Sequence, residues 1–175
     1  MIFIPIIGSR KKKVEVYLDK EGKEEELVVV FAGRGDDLID LDTTCVHKAL
    51  STRGRIVIRG ILRDRAVARV KGLVKMEKEA QKSDGFLEEK VLLIGDKAKV
   101  ETSPNLEIKA DDVRAGHAAA TGMLDEEQLF YLRSRGLSEE EATLVLIGGF
   151  IDQVAKNPGK KVASGLRKVK AYALG

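Results

Sequence analysis

The chain has one cysteine, no tryptophan, three prolines and two histidines in 175 residues. A single thiol, Cys45, excludes an intramolecular disulfide and fits a reducing compartment, so a cytoplasmic protein is expected. One thiol and two imidazoles cannot complete a four-ligand cluster site within one chain. The phosphate loop G-x-x-x-x-G-K-[ST] is missing, as are H-E-x-x-H, C-x-x-C and G-x-S-x-G. Those absences remove nucleotide hydrolysis and the common zinc, redox and acyl-transfer signatures. The opening MIFIPII lacks a basic flank and is too short to span a bilayer. Neither sign of charge dominates: 31 basic and 28 acidic residues leave a formal +3, which gives no reason to expect a nucleic-acid partner.

What is present describes a globular chain. With 43% hydrophobic and 34% charged residues, it is long enough to bury a core as one domain or as a domain with an appended segment. Residues 14 to 31 read as two strands joined by a charged turn at Gly22. Ala66, Ala68, Val70, Gly72, Val74 and Met76 share one parity, while Arg69, Lys71 and Lys75 take the other. That alternation describes a half-buried strand, and Leu106, Ile108 and Ala110 repeat it. From residue 38 to 113 no helical period interrupts the strands, and tight hairpin signals such as Asn-Gly are missing. A coiled β-solenoid fits this pattern; pattern alone leaves a sandwich or jelly roll open.

Helices are expected where the strands stop. Asp125 with Gln128 marks one start, Gly136 its end, and Ser138 with Glu141 a capping box for a second helix reaching about Lys156. Gly148 and Gly149 in that helix are expected to admit close approach of another element. After Asn157, Pro158 and Gly159 a third helix carries Val162, Leu166, Val169 and Ala173 on one stripe, while Lys160, Lys161, Lys168 and Lys170 form a solvated face. The division is residues 1–124 as β-core and 125–175 as helical segment.

Five ordered stretches carry a resemblance: Leu92 to Gly95 (LLIG), Pro104 to Ile108 (PNLEI), Ala110 to Val113 (ADDV), Gly116 to Gly122 (GHAAATG) and Asp125 to Leu137 (DEEQLFYLRSRGL). They resemble the C-terminal core of the SufB/SufD family, scaffold proteins of the SUF iron-sulfur cluster assembly system, and are closer to SufD. The resemblance weakens upstream, through His47 and the stretch from Lys71 to Met76, and residues 1 to 40 carry little of it. It implies a mainly β protein, a right-handed parallel β-helix of roughly four coils closed by C-terminal α-helices. It also implies a non-enzymatic role: dimerisation with itself or a SufB homologue, docking of a SufC-type ATPase, and a transient Fe-S cluster shared between subunits. Family members are typically longer, with an N-terminal helical region; its lack here counts against flavin use and sulfur-donor docking.

The resemblance also ranks the candidate residues. His117 matches the histidine of the SufD-type HGAT motif, at the subunit interface in that family; an imidazole there ligates iron or moves a proton. Ala118 stands where the family has glycine. Glu89 takes the place of the essential SufB cysteine, and a carboxylate can bind iron but cannot carry a persulfide. Cys45 and His47, two apart on a strand, face the same way and are spaced to chelate one metal ion, although a lone strand cysteine is commonly a small buried hydrophobe. Gln128, Leu129, Phe130, Tyr131, Arg133 and Arg135 match the part that docks the ATPase, the alternative being that the aromatics pack beneath the last coil. Two other readings remain: a β-solenoid that only oligomerises or binds partners, and a cupin-like metal enzyme, which two distant histidines argue against.

Overall fold

In the computed structural model the chain forms a two-sheet parallel solenoid with helices along one side; residues 1–154 and 159–175 are described. The described strands are β1 Ile2–Ile7, β2 Arg10–Leu18, β3 Glu24–Gly33, β4 Leu38–His47, β5 Arg53–Arg63, β6 Val67–Met76, β7 Asp84–Ile94, β8 Lys99–Ile108 and β9 Arg114–Met123. Odd-numbered strands stack as sheet A in the order β1-β3-β5-β7-β9, and even-numbered strands as sheet B in the order β2-β4-β6-β8. The chain thus makes four coils and begins a fifth. Segments 14–18 and 24–31, adjacent in sequence, lie in opposite sheets and do not form a hairpin.

All neighbouring strands are parallel, so register partners share a face and inner residues build columns along the solenoid. One inner column of sheet A runs Leu27, Ile56, Leu87, His117, and the next runs Val29, Ile58, Glu89, Ala119. In sheet B the columns Val16, Cys45, Val74, Leu106 and Leu18, His47, Met76, Ile108 face them. Backbone ladders continue through the corners, where Gly22 donates to Leu50, Ser51 to Gln81 and Lys82 to Asp112. Gly22, Ser51 and Lys82 turn these corners at positive φ, a conformation glycine adopts without the steric cost the other two bear.

Columns require compensation when one layer is large. The ring of Phe31 fills the space beside Gly60, so any Cβ at Gly60 would overlap it. The N-terminal end of the stack is blunted against edge pairing by Pro5 in β1 and by the exposed Lys11, Lys12 and Lys13 in β2. At the other end β9, of sequence RAGHAAATGM, is exposed from His117 onward and carries no comparable device.

Three described helices follow: α1 Glu126–Ser134, α2 Glu139–Asp152 and α3 Lys160–Leu174. Asp125 caps α1 through the backbone N–H groups of Glu127 and Gln128, and Ser138 with Glu141 closes the capping box of α2. Gly136 ends the first helix at φ 99°. The stripe Val162, Leu166, Val169 and Ala173 is buried with Ile147 and Ile151 of α2 against Val28, Val30 and Ala32 of β3 and Val57 and Ile61 of β5. Gly165 admits the ring of Phe3. Asp37, in the turn after β3, accepts hydrogen bonds from the Ser9 amide at 3.0 Å and from the Tyr172 hydroxyl at 2.7 Å, tying α3 to the first coils.

These positions correct three expectations. The helices cover the outer flank of sheet A and leave the last rung open, because their apolar stripe matches the aliphatic outer face of β3. The second helix ends at Asp152, and Lys156, Asn157 and Pro158 lie outside the described residues. Gly148 and Gly149 face open space, with nothing among the described residues within 4 Å of a Cβ at either.

The Phe31 and Gly60 pairing yields a direct test. Gly60→Ala overpacks the core and lowers stability by about 2 kcal/mol in urea unfolding. Gly122→Ala on β9, where nothing lies within 4 Å, stays within about 0.5 kcal/mol of the parent.

Candidate functional site

The open rung gathers the unusual inner residues. His117 ends an aliphatic column; its register partner Leu87 is fully buried, whereas the histidine itself is exposed because no further strand lies over it. Glu89 lies one strand below and two residues along, a Cα diagonal of about 8 Å by sheet geometry. Its side chain is fully buried, and neither carboxylate oxygen has a hydrogen-bond partner among the described residues. Gly72 across the interior makes room for it: a Cβ there would come within 2.5 Å of Glu89 Oε1. Burial with nothing to balance the charge pushes this carboxyl up to about 7. A buried, unpaired carboxyl one methyl layer beneath an open rung is a group suited to a cation or a proton.

Cys45 and His47 do share a face, as the sequence spacing predicts, but inside the second coil, against the third, and closed to solvent. His47 Nδ1 lies 2.8 Å from Thr52 Oγ1, and Thr52 Oγ1 lies 3.2 Å from the Ala49 carbonyl oxygen. With the threonine donating to that carbonyl, Nδ1–H donates to the threonine, and Nε2 faces Cys45 Sγ at 3.8 Å. Burial drives the imidazole down to about 4; burial, then the Glu25 carboxylate, drives the thiol up to about 12. Gly54 closes the pair, since a Cβ there would lie 2.6 Å from Nε2 and 2.7 Å from Sγ. This arrangement holds two coils together with neutral groups and leaves no gap for an ion.

Beyond the rung, α1 stands clear of the solenoid, packs on α2 and has no buried residue. Leu129 is half-buried, whereas Phe130 is 75% and Tyr131 59% exposed, so the aromatics do not pack beneath the last coil. Gln128 is held by Asp125 at 3.1 Å, Arg133 pairs with Glu139 at 3.3 Å, and Arg135 lies over the Tyr131 ring. Among the described residues no helix is long and apolar enough to cross a membrane, and no three potential ligands cluster within the chain.

The family model for the SufBD core domain of the SUF system of FeS cluster assembly matches residues 8–150. The chain belongs to this family. It is 37% identical over 134 residues to the iron-sulfur cluster assembly protein SufD of Bacillus subtilis, covering 77% of this chain and 31% of that protein. SufD of Escherichia coli is 36% identical over 121 residues, which cover 69% of this chain and 29% of that protein. A SufBD family protein of Pyrococcus horikoshii is 37% identical over 132 residues, or 75% and 29% of the two chains. The match of this SufBD chain spans between 18% and 31% of the length of the curated relatives.

Sequence reasoning missed two features of this SufBD chain. Thr52 and Ser83, hydroxyl to hydroxyl at 2.8 Å, extend the buried polar chain that starts at His47. Arg59, buried on the outer face of sheet A, grips Glu88 at 2.6 Å. A cation inside the apolar run from Ile56 to Leu62 was the available signal, because a lone charge in such a strand survives only with a buried partner.

Two buried groups titrate with opposite sign. The folded value of Glu89 is raised, so its contribution is complete below pH 4.5 and is lost as pH rises through about 7. His47 is depressed, so its contribution is complete above 6.5 and is lost as pH falls through about 4. Glu89→Gln therefore exceeds the parent in stability by an amount that grows between pH 4.5 and 8 and reaches on the order of 3 kcal/mol. Denaturant melts across that range measure it, and a gap independent of pH would contradict the buried carboxyl.

Proposed function

We propose that this chain is a SufD-like scaffold subunit of iron-sulfur cluster assembly, without catalysis of its own, that dimerises through the open end of its β-helix. The observation that carries the reading is His117 on an unprotected edge strand, beside an unpaired buried carboxylate. An exposed β9 with small side chains presents unpaired backbone groups, which calls for a partner strand or a cover. A two-fold interface there brings two imidazoles and two carboxylates together, so that a cluster is held as cargo between chains when neither has ligands enough alone. The partner is a second copy or a SufB homologue. A SufC-type ATPase docks on α1 and α2, where Phe130, Tyr131 and Val145 are exposed beside Arg133 and Arg135. Within this reading the protein acts in the cytoplasm and uses no flavin, nucleic acid or membrane.

Glu89 and the distance of the only thiol favour a second reading, a β-solenoid that binds partners and carries no cluster chemistry. Anaerobic reconstitution with ferrous iron and sulfide, alone and with a SufC-type ATPase, separates the two. His117→Ala lowers the yield of the visible cluster absorbance by about tenfold on the first reading; an unchanged yield leaves the second. The dimer is tested separately by sedimentation. Ala119→Asp with Thr121→Asp places like charges on β9 and returns a monomer, and a persistent dimer would move the interface elsewhere.

A further inference from the structure

The last rung offers two free edges, and they are not equivalent. In β8 the amides of Lys99 and Lys109 bond on the side of β6, so the odd-numbered residues of that strand face their neighbour and the even-numbered ones face outward. Pro104 is even, and it removes a donor from the middle of this edge. In β9 the amide of Arg114 donates to Ser83, on the side of β7, which leaves the backbone of Ala115, His117, Ala119, Thr121 and Met123 free. A strand that adds to the rung finds an unbroken row only on β9.

Outward charges mark how such a strand arrives. On the outer face of sheet A one register column runs Glu24, Arg53, Asp84, Arg114, with alternating sign. Arg53 meets Glu24 at 2.7 Å, and Arg114 meets Asp84 at 3.7 Å. Arg114 ends the column with its side chain 86% exposed, and the alternation calls for an acid next. In the adjacent column Phe86 leans on Gly116, where a Cβ would lie 3.2 Å from the ring, so an apolar surface reaches the same edge. Asp111 and Asp112 in the preceding turn are also exposed, so the column specifies the contact and net charge does not.

The chain carries the missing acids itself. Two copies related by a two-fold axis between their β9 edges run antiparallel, and each contact occurs twice. The free residues Ala115, His117, Ala119, Thr121 and Met123 are symmetric about Ala119, so all of them pair when the axis passes there. Arg114 then stands opposite Leu124 of the partner subunit, just before the acidic start of α1. In that first turn Asp125 is committed to the helix cap, whereas Glu126 and Glu127 are exposed.

We propose that a second copy joins β9 in antiparallel register about Ala119, and that Arg114 pairs with Glu126 and Glu127 of the partner subunit at each end of the junction. This rests on the dimer proposed above and goes further, by fixing its register and making the partner a second copy.

Sedimentation of the full chain at low salt tests the contact. Arg114→Glu, and separately Glu126→Arg with Glu127→Arg, each raise the dimer Kd about tenfold. An equimolar mixture of the two variants pairs unlike chains, in which both contacts again join opposite charges, and its Kd returns to within about threefold of the parent. Repulsion from Asp84 within one chain is the same before and after mixing, so recovery reports the contact between chains. Should circular dichroism show α1 frayed in the double reversal, Glu127→Arg alone takes its place. A dimer that tolerates every reversal, or a mixture as weak as its components, would overturn the contact alone. A parent that stays monomeric would overturn the second copy as occupant, leaving β9 to a chain of different sequence.

Discussion

Parallel hydrogen bonding between successive coils is the constraint from which the other features follow. It forces residues one coil apart into a common column, so every inner side chain is judged by those above and below it. Aliphatic columns stack without cost, and a large member demands a small neighbour, as Phe31 demands Gly60. A polar member must find a partner within its layer or remain unsatisfied. His47 finds Thr52, whereas Glu89 finds nothing. The ladder also cannot end neutrally, because its last strand keeps a free row of donors and acceptors.

The two ends of the stack answer that problem differently. At the first coil a proline and a run of lysines discourage addition of another strand. At the last rung alanine and glycine leave the backbone accessible on both faces. The helices could have covered the rung, yet their apolar stripe matches the valine-rich outer face of β3, and burial there outweighs any cover over a rung of small residues. The free imidazole of His117 and the unpaired carboxyl of Glu89 therefore lie where the structure is least closed, and the opposite flank is tied down where Tyr172 of α3 bonds Asp37.

Much of this architecture is legible in the amino-acid sequence. The parity from Ala66 to Met76 predicted the buried face of β6, and both helix caps follow from Asp125, Ser138 and Glu141 alone. The place of the helices was not legible. Periodicity reports that a helix has an apolar stripe but not which surface receives it, and the outer residues Val28, Val30 and Ala32 belong to a strand whose two faces are both apolar. For the same reason β1 reads in sequence only as an apolar stretch. Candidate residues divided similarly. Spacing placed Cys45 and His47 on one face, but only three dimensions reveal that Gly54 seals them. Glu89 entered through resemblance, and nothing in its local sequence signals that its carboxylate is unpaired.

On the function proposed above, a carboxyl rather than a thiol at Glu89 decides which half of cluster chemistry this side of an interface can serve. Oxygen and imidazole ligands suit ferrous iron, a borderline cation, whereas sulfane sulfur has to travel on a thiol. The single thiol of this chain is held protonated by burial, two rungs from the open end and against Gly54. On the reading proposed above, sulfur therefore reaches the interface as inorganic sulfide or on a partner's cysteine. On the same reading this chain offers an imidazole at the rim and a carboxyl one layer beneath it, so thiolate would come from a partner of a different sequence, and two identical chains would depend on free sulfide.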